Sequence, residues 1–425
     1  MVTQLKKLQT QKIENQITNN KKNPINFHQK ENDIFSIEHE NQILLNDKIV
    51  VEAVTDSKGL NKFYQVPWMI YSNDKNWVPP LWAEFKDFFS SKNPFWKHAD
   101  VQLFIATKNQ KSIGRIAAII DHLYCNSINE KTGFFGFFES IHNNTCANAL
   151  LKSAEKWLIS KEMTMMQGPI NGRIDNGCGF QLSSFHSSPG LLSPYSPEYY
   201  LSFAKQYKMK KTRDQISYII DLTKLLPKEL KEKANQCEKS GVKIRRFNRL
   251  RTNKELNWWI DLFLETFKDH WGYVPVSGEE VRSRFGVKQL RWIVDPGLFL
   301  IAEKNDEPIA YIWSTPDYNQ LFKKMNGKIN SIQTINFLLK KNQIKKGILQ
   351  FIGIKKGVRN QNIGSLLNYK ILVEMKKRGY TVAEVGWIDE QNIVAHKTIS
   401  YTGATVYKKF RVFEKNIKQT ERRRS

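Results

Sequence analysis

No apolar run in this 425-residue chain approaches the roughly 18 to 20 residues that a membrane-crossing helix needs. Cysteine is scarce too. Cys125, Cys146, Cys178 and Cys237 are too few for a disulfide scaffold and too far apart for a metal knuckle. The N-terminal residues lack the basic, apolar and small-residue pattern of a secretion signal. Together these absences set the expectation of a reduced, cytoplasmic protein with no metal. There is no Gly-x-Ser-x-Gly, no Cys/His zinc pattern and no Walker loop, so serine-hydrolase, zinc and P-loop chemistry have no foothold. Acidic residues are also in short supply. Against 66 Lys and Arg stand 41 Asp and Glu, a formal charge of +25. Such an excess favours an anionic partner: coenzyme A, nucleic acid, an acidic carrier protein or an anionic membrane face. Joint enrichment in Lys, Asn and Ile points to biased codon usage as a source of much of it.

What is present suffices for real cores: 40% of residues are hydrophobic and 12% aromatic. The length predicts two or more domains. Residues 1–47 are polar and poor in apolar side chains, so they are expected to form a disordered arm. From residue 48 the pattern becomes globular. An order of strand, helix, strands, strand, helix, strand runs from about 49 to 222 and recurs from about 242 to 415. This predicts two mixed α/β units (α+β, with a mixed sheet) side by side, over 48–225 and 226–416, followed by a basic tail at 417–425.

The most informative stretch is Ile348 to Tyr407. Ile348–Ile354 has the length of a buried strand. A basic turn follows, with Lys355, Lys356, Gly357, Arg359, Asn360, Gln361, Asn362 and Gly364. Ile363, Leu366, Leu367, Ile371 and Met375 then recur at helical spacing, and Arg378-Gly379 stops the helix. A helix N-terminus with unpaired N–H groups, permissive residues beside it and cations around it is a site for pyrophosphate. The first unit has no such turn. After its Phe-rich strand comes Glu139 to Asn144, where anion binding is expected to be poor.

Arg359-x-x-Asn362-x-Gly364 before an apolar helix resembles the coenzyme A pyrophosphate loop of the GNAT acyltransferases. Asn392-x-x-Ala395, before a helix ending in Gly403-Ala404, resembles the second motif of that family. In two places the chain departs from the pattern. Asn362 replaces the usual first glycine, and Ile399 replaces the Tyr that commonly protonates the leaving thiolate. The resemblance widens to tandem GNAT proteins through Asn76-Trp77-Val78-Pro79-Pro80, Gly114-Arg115-Ile116-Ala117-Ala118, Gly168-Pro169-Ile170-Asn171, Trp271-Gly272-Tyr273-Val274-Pro275, Pro316-Asp317-Tyr318-Asn319 and Glu384-x-x-Trp387. Some relatives in this family are linked to sphingolipid N-acylation.

The resemblance implies two tandem GNAT-like domains, a coenzyme A thioester as co-substrate, and N-acyl transfer to an amine. The thioester would be acetyl-CoA or a longer acyl-CoA, and the amine a small molecule or a sphingoid-type lipid. Ile352, Ile354, Arg359, Asn360, Gln361, Asn362, Ile363, Gly364, Ser365 and Asn392 would then hold coenzyme A, and the strand from Gln350 to Ile354 would offer an N–H to the thioester oxygen. Glu384 is the first candidate to take the amine proton, with Asp317 and Glu303 as alternatives. His270 is a further candidate base. Asn392 caps its helix. Leu321 to Lys346 inserts between strands as a basic, amphipathic segment. It suits an anionic bilayer surface at the inner membrane face, a lid over an acyl chain, or packing on its own domain. Two other functions remain open. One is an aminoacyl-tRNA-using transferase, although nucleic acid is the less favoured partner. The other is a non-catalytic protein that binds acyl-CoA or membranes.

Overall fold

The computed structural model describes residues 48–285 and 294–418. The polar arm expected over 1–47 and nearly all of the tail expected over 417–425 lie outside them. β1 (Val50–Ala53), α1 (Ser57–Ile70) and α2 (Trp82–Phe88) lead into the hairpin β2 (Ala99–Lys108) and β3 (Lys111–Asp121). α3 (His122–Ile128), β4 (Thr132–Ser140), α4 (Asn144–Ser160), β5 (Met165–Gly168), β6 (Phe180–Gln181), α5 (Tyr200–Gln206) and β7 (Lys210–Asp221) complete the first half. The second half runs α6 (Lys228–Lys239), β8 (Lys243–Arg246), α7 (Thr252–Phe267), α8 (Gly278–Arg284), β9 (Phe299–Lys304) and β10 (Glu307–Pro316). α9 (Asn319–Met325), α10 (Ser331–Lys340), β11 (Lys346–Ile354), α11 (Ile363–Lys377), β12 (Val382–Asp389), α12 (Ile393–Ser400) and β13 (Thr405–Asn416) follow.

All the strands join one mixed sheet, in the order β1-β2-β3-β4-β5-β13-β7-β12-β11-β10-β9-β8, with β6 on β13. The repeated order read from the sequence is there. The structure adds that the halves exchange their last strands. β7, from the first half, pairs with β12, and β13, from the second, pairs with β5; β7 and β13 pair with each other at the centre.

Alternation along the strands sorts side chains into three cores. On β4, Phe134 and Phe135 enter different clusters; on β10, Tyr311 and Trp313 part from Ala310 and Ile312. One core is shared by both halves: Phe63, Phe85 and Phe95 belong to the same cluster as Trp259, Phe263 and Trp313. The other two lie under α4 and under α11, each completed by the strand exchanged from the other half: Phe413 in the first, Ile220 in the second. Ion pairs reinforce the join. Glu280 takes Arg173 at 2.8 Å and His98 at 3.0 Å, and Arg284 pairs with Asp175. His98 is thus held between Glu280 and Asp121.

Among the described residues each half contains one parallel pair of strands, and in each the pair splays apart. β11 and β12 are in register from Lys346/Val382 to Leu349/Val385, and the ladder stops there although both strands continue. On its other side β11 slips register against β10 between Trp313 and Ser314, so Gln350 forms a bulge beside the vertex. β4 and β5 are in register only from Thr132/Met165 to Phe134/Gln167.

Candidate active site

At the mouth of the second splay the chain leaves β11, makes a short helical turn over Lys356–Val358, and enters α11. Asn360 (φ 67°) and Asn362 (φ 58°) both adopt left-handed backbone, which asparagine tolerates better than most residues. Asn362 is the N-cap of α11 but makes no capping bond; its amide side chain donates to Gln236 Oε1 at 3.4 Å. The N–H groups of Ile363, Gly364 and Ser365 therefore find no acceptor among the described residues. Ile363 and Ser365 have buried side chains, so their amides are what they can offer a ligand. Gly364 lies against α12: a Cβ there would sit 3.0 Å from Thr398 Cγ2. A cradle of this form, with the exposed Arg359 guanidinium on the Ile354 carbonyl (3.3 Å) and Lys356 on Asp269 (2.6 Å), fits a pyrophosphate. Gln361 is exposed at the turn, while Ile352 and Ile354 flank the splay on the α11 side. Asn392 caps α12 through the Ala395 N–H at 3.1 Å. Burial, with Arg359 nearby, depresses the pKa of His270 and keeps it neutral.

The other end of the splay holds a buried cluster of charge. Glu384 is fully buried and stands opposite Ile348, one residue short of the vertex. Its neighbours on β12, Ala383 and Val385, face the core under α11, so Glu384 points to the opposite side of the sheet. There its Oε2 lies 2.5 Å from Lys346 Nζ, and Ser217 Oγ on β7 donates to its Oε1 at 3.3 Å. Asp317, at the end of β10, reaches the same Lys346 at 3.3 Å, and its other oxygen, Oδ1, is buried without a hydrogen bond. Burial raises the Asp317 pKa, and the Glu384 charge raises it further, against the pull of Lys346. Burial acts to lower the Lys346 pKa, but Glu384 and Asp317 outweigh it and leave it raised.

Lys408 completes the group from β13. It is fully buried, donates to the carbonyls of Ser188 (2.6 Å) and Ser187 (3.3 Å), and is pushed down to about 8, chiefly by burial. The segment 182–199 covers the cluster. Gly190 packs so closely that a Cβ would meet Glu384 Oε2 and Ile348 Cδ1 at 2.9 Å, and Leu191 O accepts from Gln350 at 3.2 Å. From Ile348 to Ile354 the strand spans roughly 20 Å, so the cluster and the pyrophosphate cradle sit at the two ends of one open strand edge. On the α12 side of the vertex, opposite Val385, Tyr218 Oη lies 2.7 Å from His396 Nδ1; burial raises the Tyr218 pKa and keeps it protonated. Ile399 is packed in the core below.

Of the three candidate acids, the structure brings Glu384 and Asp317 together and sets Glu303 apart. Glu303 lies on β9, two strands from β11, in an ion pair with Arg245 at 2.6 Å. Lys346 also needs correcting: read from sequence as the last basic residue of the insert, it is the first residue of β11 and turns inward. Lys408, Ser217 and Gly190 were not foreseen. For Lys408 a signal existed, because it alternates with Phe410 and Val412, both fully buried.

Residues 257–400, which contain the turn, the splay and Glu384, match the model of the Acetyltransferase (GNAT) family. The second half carries a GNAT acyltransferase domain. Structural likeness extends the fold to the whole described chain. A tandem GNAT protein from the clavulanic acid biosynthesis pathway superimposes with a TM-score of 0.54, over 88% of this chain and 100% of the other, at 10% identity. By sequence, the chain is 27% identical over 380 residues to a bacterial ceramide synthase of Caulobacter vibrioides, covering 88% of this chain and 98% of that protein. It is 27% identical over 375 residues to the protein YghO of Escherichia coli, covering 87% and 95%. The region that matches the GNAT family is therefore the one with the free helix N-terminus and the open splay, and the described chain has the tandem GNAT fold.

Proposed function

We propose that the second splay binds a long-chain acyl-CoA and that the protein transfers the acyl group to the amine of a long-chain amino alcohol, forming an amide and releasing coenzyme A. The observation that carries this reading is the alignment on one unpaired strand edge of an anion cradle, a backbone bulge and a buried acid–base cluster. Free amides at the start of α11, with Arg359, would hold the pyrophosphate. The edge of Gln350–Ile354, unpaired beyond Leu349, would take the extended pantetheine arm, whose reach is comparable with the span of that edge. The bulge at Gln350 would present an N–H to the thioester carbonyl oxygen, where negative charge develops in the transition state.

A neutral amine then attacks the carbonyl carbon, the C–S bond breaks, and the amine nitrogen loses a proton. Glu384, backed by Lys346 and Asp317, would take that proton. Tyr218, protonated and bonded to His396, would return one to the departing thiolate, which Ile399 cannot do. The name of the Caulobacter relative, a ceramide synthase, supports a long-chain amino alcohol as acceptor, since ceramide is the amide of such an amine. Aromatic side chains on the Glu384 side of the sheet, among them Phe351, Trp313 and Trp387, offer an apolar wall for the acyl chain.

The test is release of free thiol by the purified protein from palmitoyl-CoA with sphinganine, with the amide identified by mass spectrometry. Thiol release that requires both substrates, and that falls when acetyl-CoA replaces palmitoyl-CoA, is the expected result. Binding of coenzyme A without turnover of any acyl-CoA and amine pair would contradict the proposal.

A further inference from the structure

Between Asp317 and Glu374 the chain contains no Asp or Glu. Within that stretch, α10 presents apolar side chains to solvent. Ile332 is 71% exposed and Leu339 69%, and Ile329, Ile335 and Leu338 are each about half exposed. At 100° per residue Ile332, Ile335 and Leu339 form one stripe, and none of the helix's residues is buried. The opposite side fixes the helix in place. Phe337 packs on Tyr318 and Phe322, with ring centres 5.1 and 5.9 Å apart, and Gln333 donates to the Met325 carbonyl at 3.1 Å. A complete capping box between Asn330 and Gln333 sets the first turn. Lys324 and Lys328 precede the helix, and Lys340, Lys341 and Lys345 end or follow it. Among the described residues none of these five has an ion pair with a carboxylate.

We propose that α10, with the Ile329 turn before it, docks the protein on an anionic lipid bilayer. Ile332, Ile335 and Leu339 would enter the boundary between headgroups and acyl chains, and the lysines at both ends would meet the lipid phosphates. A ten-residue helix is about 15 Å long, too short to cross a bilayer and suited to lying along its surface. Charge decides the occupant. A second copy of this chain would bring the same lysines face to face with no acid to answer them, whereas an anionic bilayer supplies both the apolar layer and the opposite charge. This inference stands on the surface of α10 and does not depend on the acyl-transfer reading.

The full chain should be sedimented with vesicles of phosphatidylglycerol and phosphatidylcholine, and with phosphatidylcholine alone. Wild type is expected to co-sediment with the anionic vesicles, less at high salt, and to stay in solution with the neutral ones. Ile332→Asp/Leu339→Asp and Lys340→Glu/Lys341→Glu are each expected to weaken binding at least tenfold. Their melting temperature and their turnover of water-soluble short-chain substrates should match wild type, because the altered side chains bury little. Failure of wild type to bind anionic vesicles would overturn the proposal, as would wild-type binding by both variants. A wild-type dimer in light scattering that Ile332→Asp/Leu339→Asp splits would overturn it in favour of a second copy.

Discussion

The two splays of this sheet start from the same geometry and end differently. In the first half, β4 and β5 part after Phe134/Gln167, and the chain fills the gap itself. Ile170 N donates to Phe135 O at 2.8 Å, and Asn171 Oδ1 accepts from Phe137 N at 2.7 Å. Gly136 lies so close beneath that a Cβ would meet the Ile170 carbonyl at 2.2 Å. Beyond that splay Glu139 is buried on Arg115 (3.7 Å) and the Tyr200 hydroxyl (2.7 Å). In the second half nothing among the described residues bridges the strands beyond Leu349 and Val385, and the helix that follows begins with unpaired amides. A splayed parallel pair thus creates backbone groups in need of partners. One half meets the need with Asn171, and the other leaves it open at the edge where the proposed co-substrate would bind.

The largest expected effect tests the open side. Glu384→Gln keeps the shape but removes the proposed proton acceptor, and kcat should fall by about 10²- to 10⁴-fold. An unchanged kcat would detach the cluster from chemistry. Next comes Lys408. Its folded pKa of about 8 lies below its unfolded value, so the unfolded chain binds more protons between about pH 8 and 10.5 and folding gains as pH rises through that window. The stability of wild type relative to Lys408→Met should therefore grow by roughly 3 kcal/mol across it, measured by urea unfolding at a series of pH values. A flat difference would mean that folding does not lower the pKa of Lys408.

On the closed side, Asn171→Ala should lower stability by about 1–2 kcal/mol through the loss of a buried acceptor while leaving coenzyme A affinity unchanged; a gain of a second binding site would break the distinction between the halves. The smallest effect sharpens the cradle. Asn362→Gly should bind coenzyme A within about 0.5 kcal/mol of wild type, because glycine adopts the same left-handed backbone, and Asn362→Val should bind measurably more weakly.

Much of this was legible in order and local chemistry. Alternation and helical spacing marked the repeated elements, and the Arg359–Gly364 turn carried residues suited to the left-handed backbone that Asn360 and Asn362 adopt. Strand exchange was not legible. β7 and β13 read as ordinary closing strands, and which β-partner each meets is decided by the shared core rather than by their own residues. Gly168-Pro169-Ile170-Asn171 stood out as a motif, but its role as a plug depends on where Phe137 N lies in space. Two inward-facing lysines were missed in the same direction. In a chain this basic, Lys346 passed for one more surface charge, and the alternation that places Lys408 inside was outweighed by its charge.

The central claim is that only the second splay receives the co-substrate. Calorimetric titration of the full chain with coenzyme A tests it most directly. The account predicts one site per chain, abolished or strongly weakened by Arg359→Ala combined with Asn362→Val and untouched by Asn171→Ala. Two sites per chain, or binding that survives the double substitution at the turn, would contradict it.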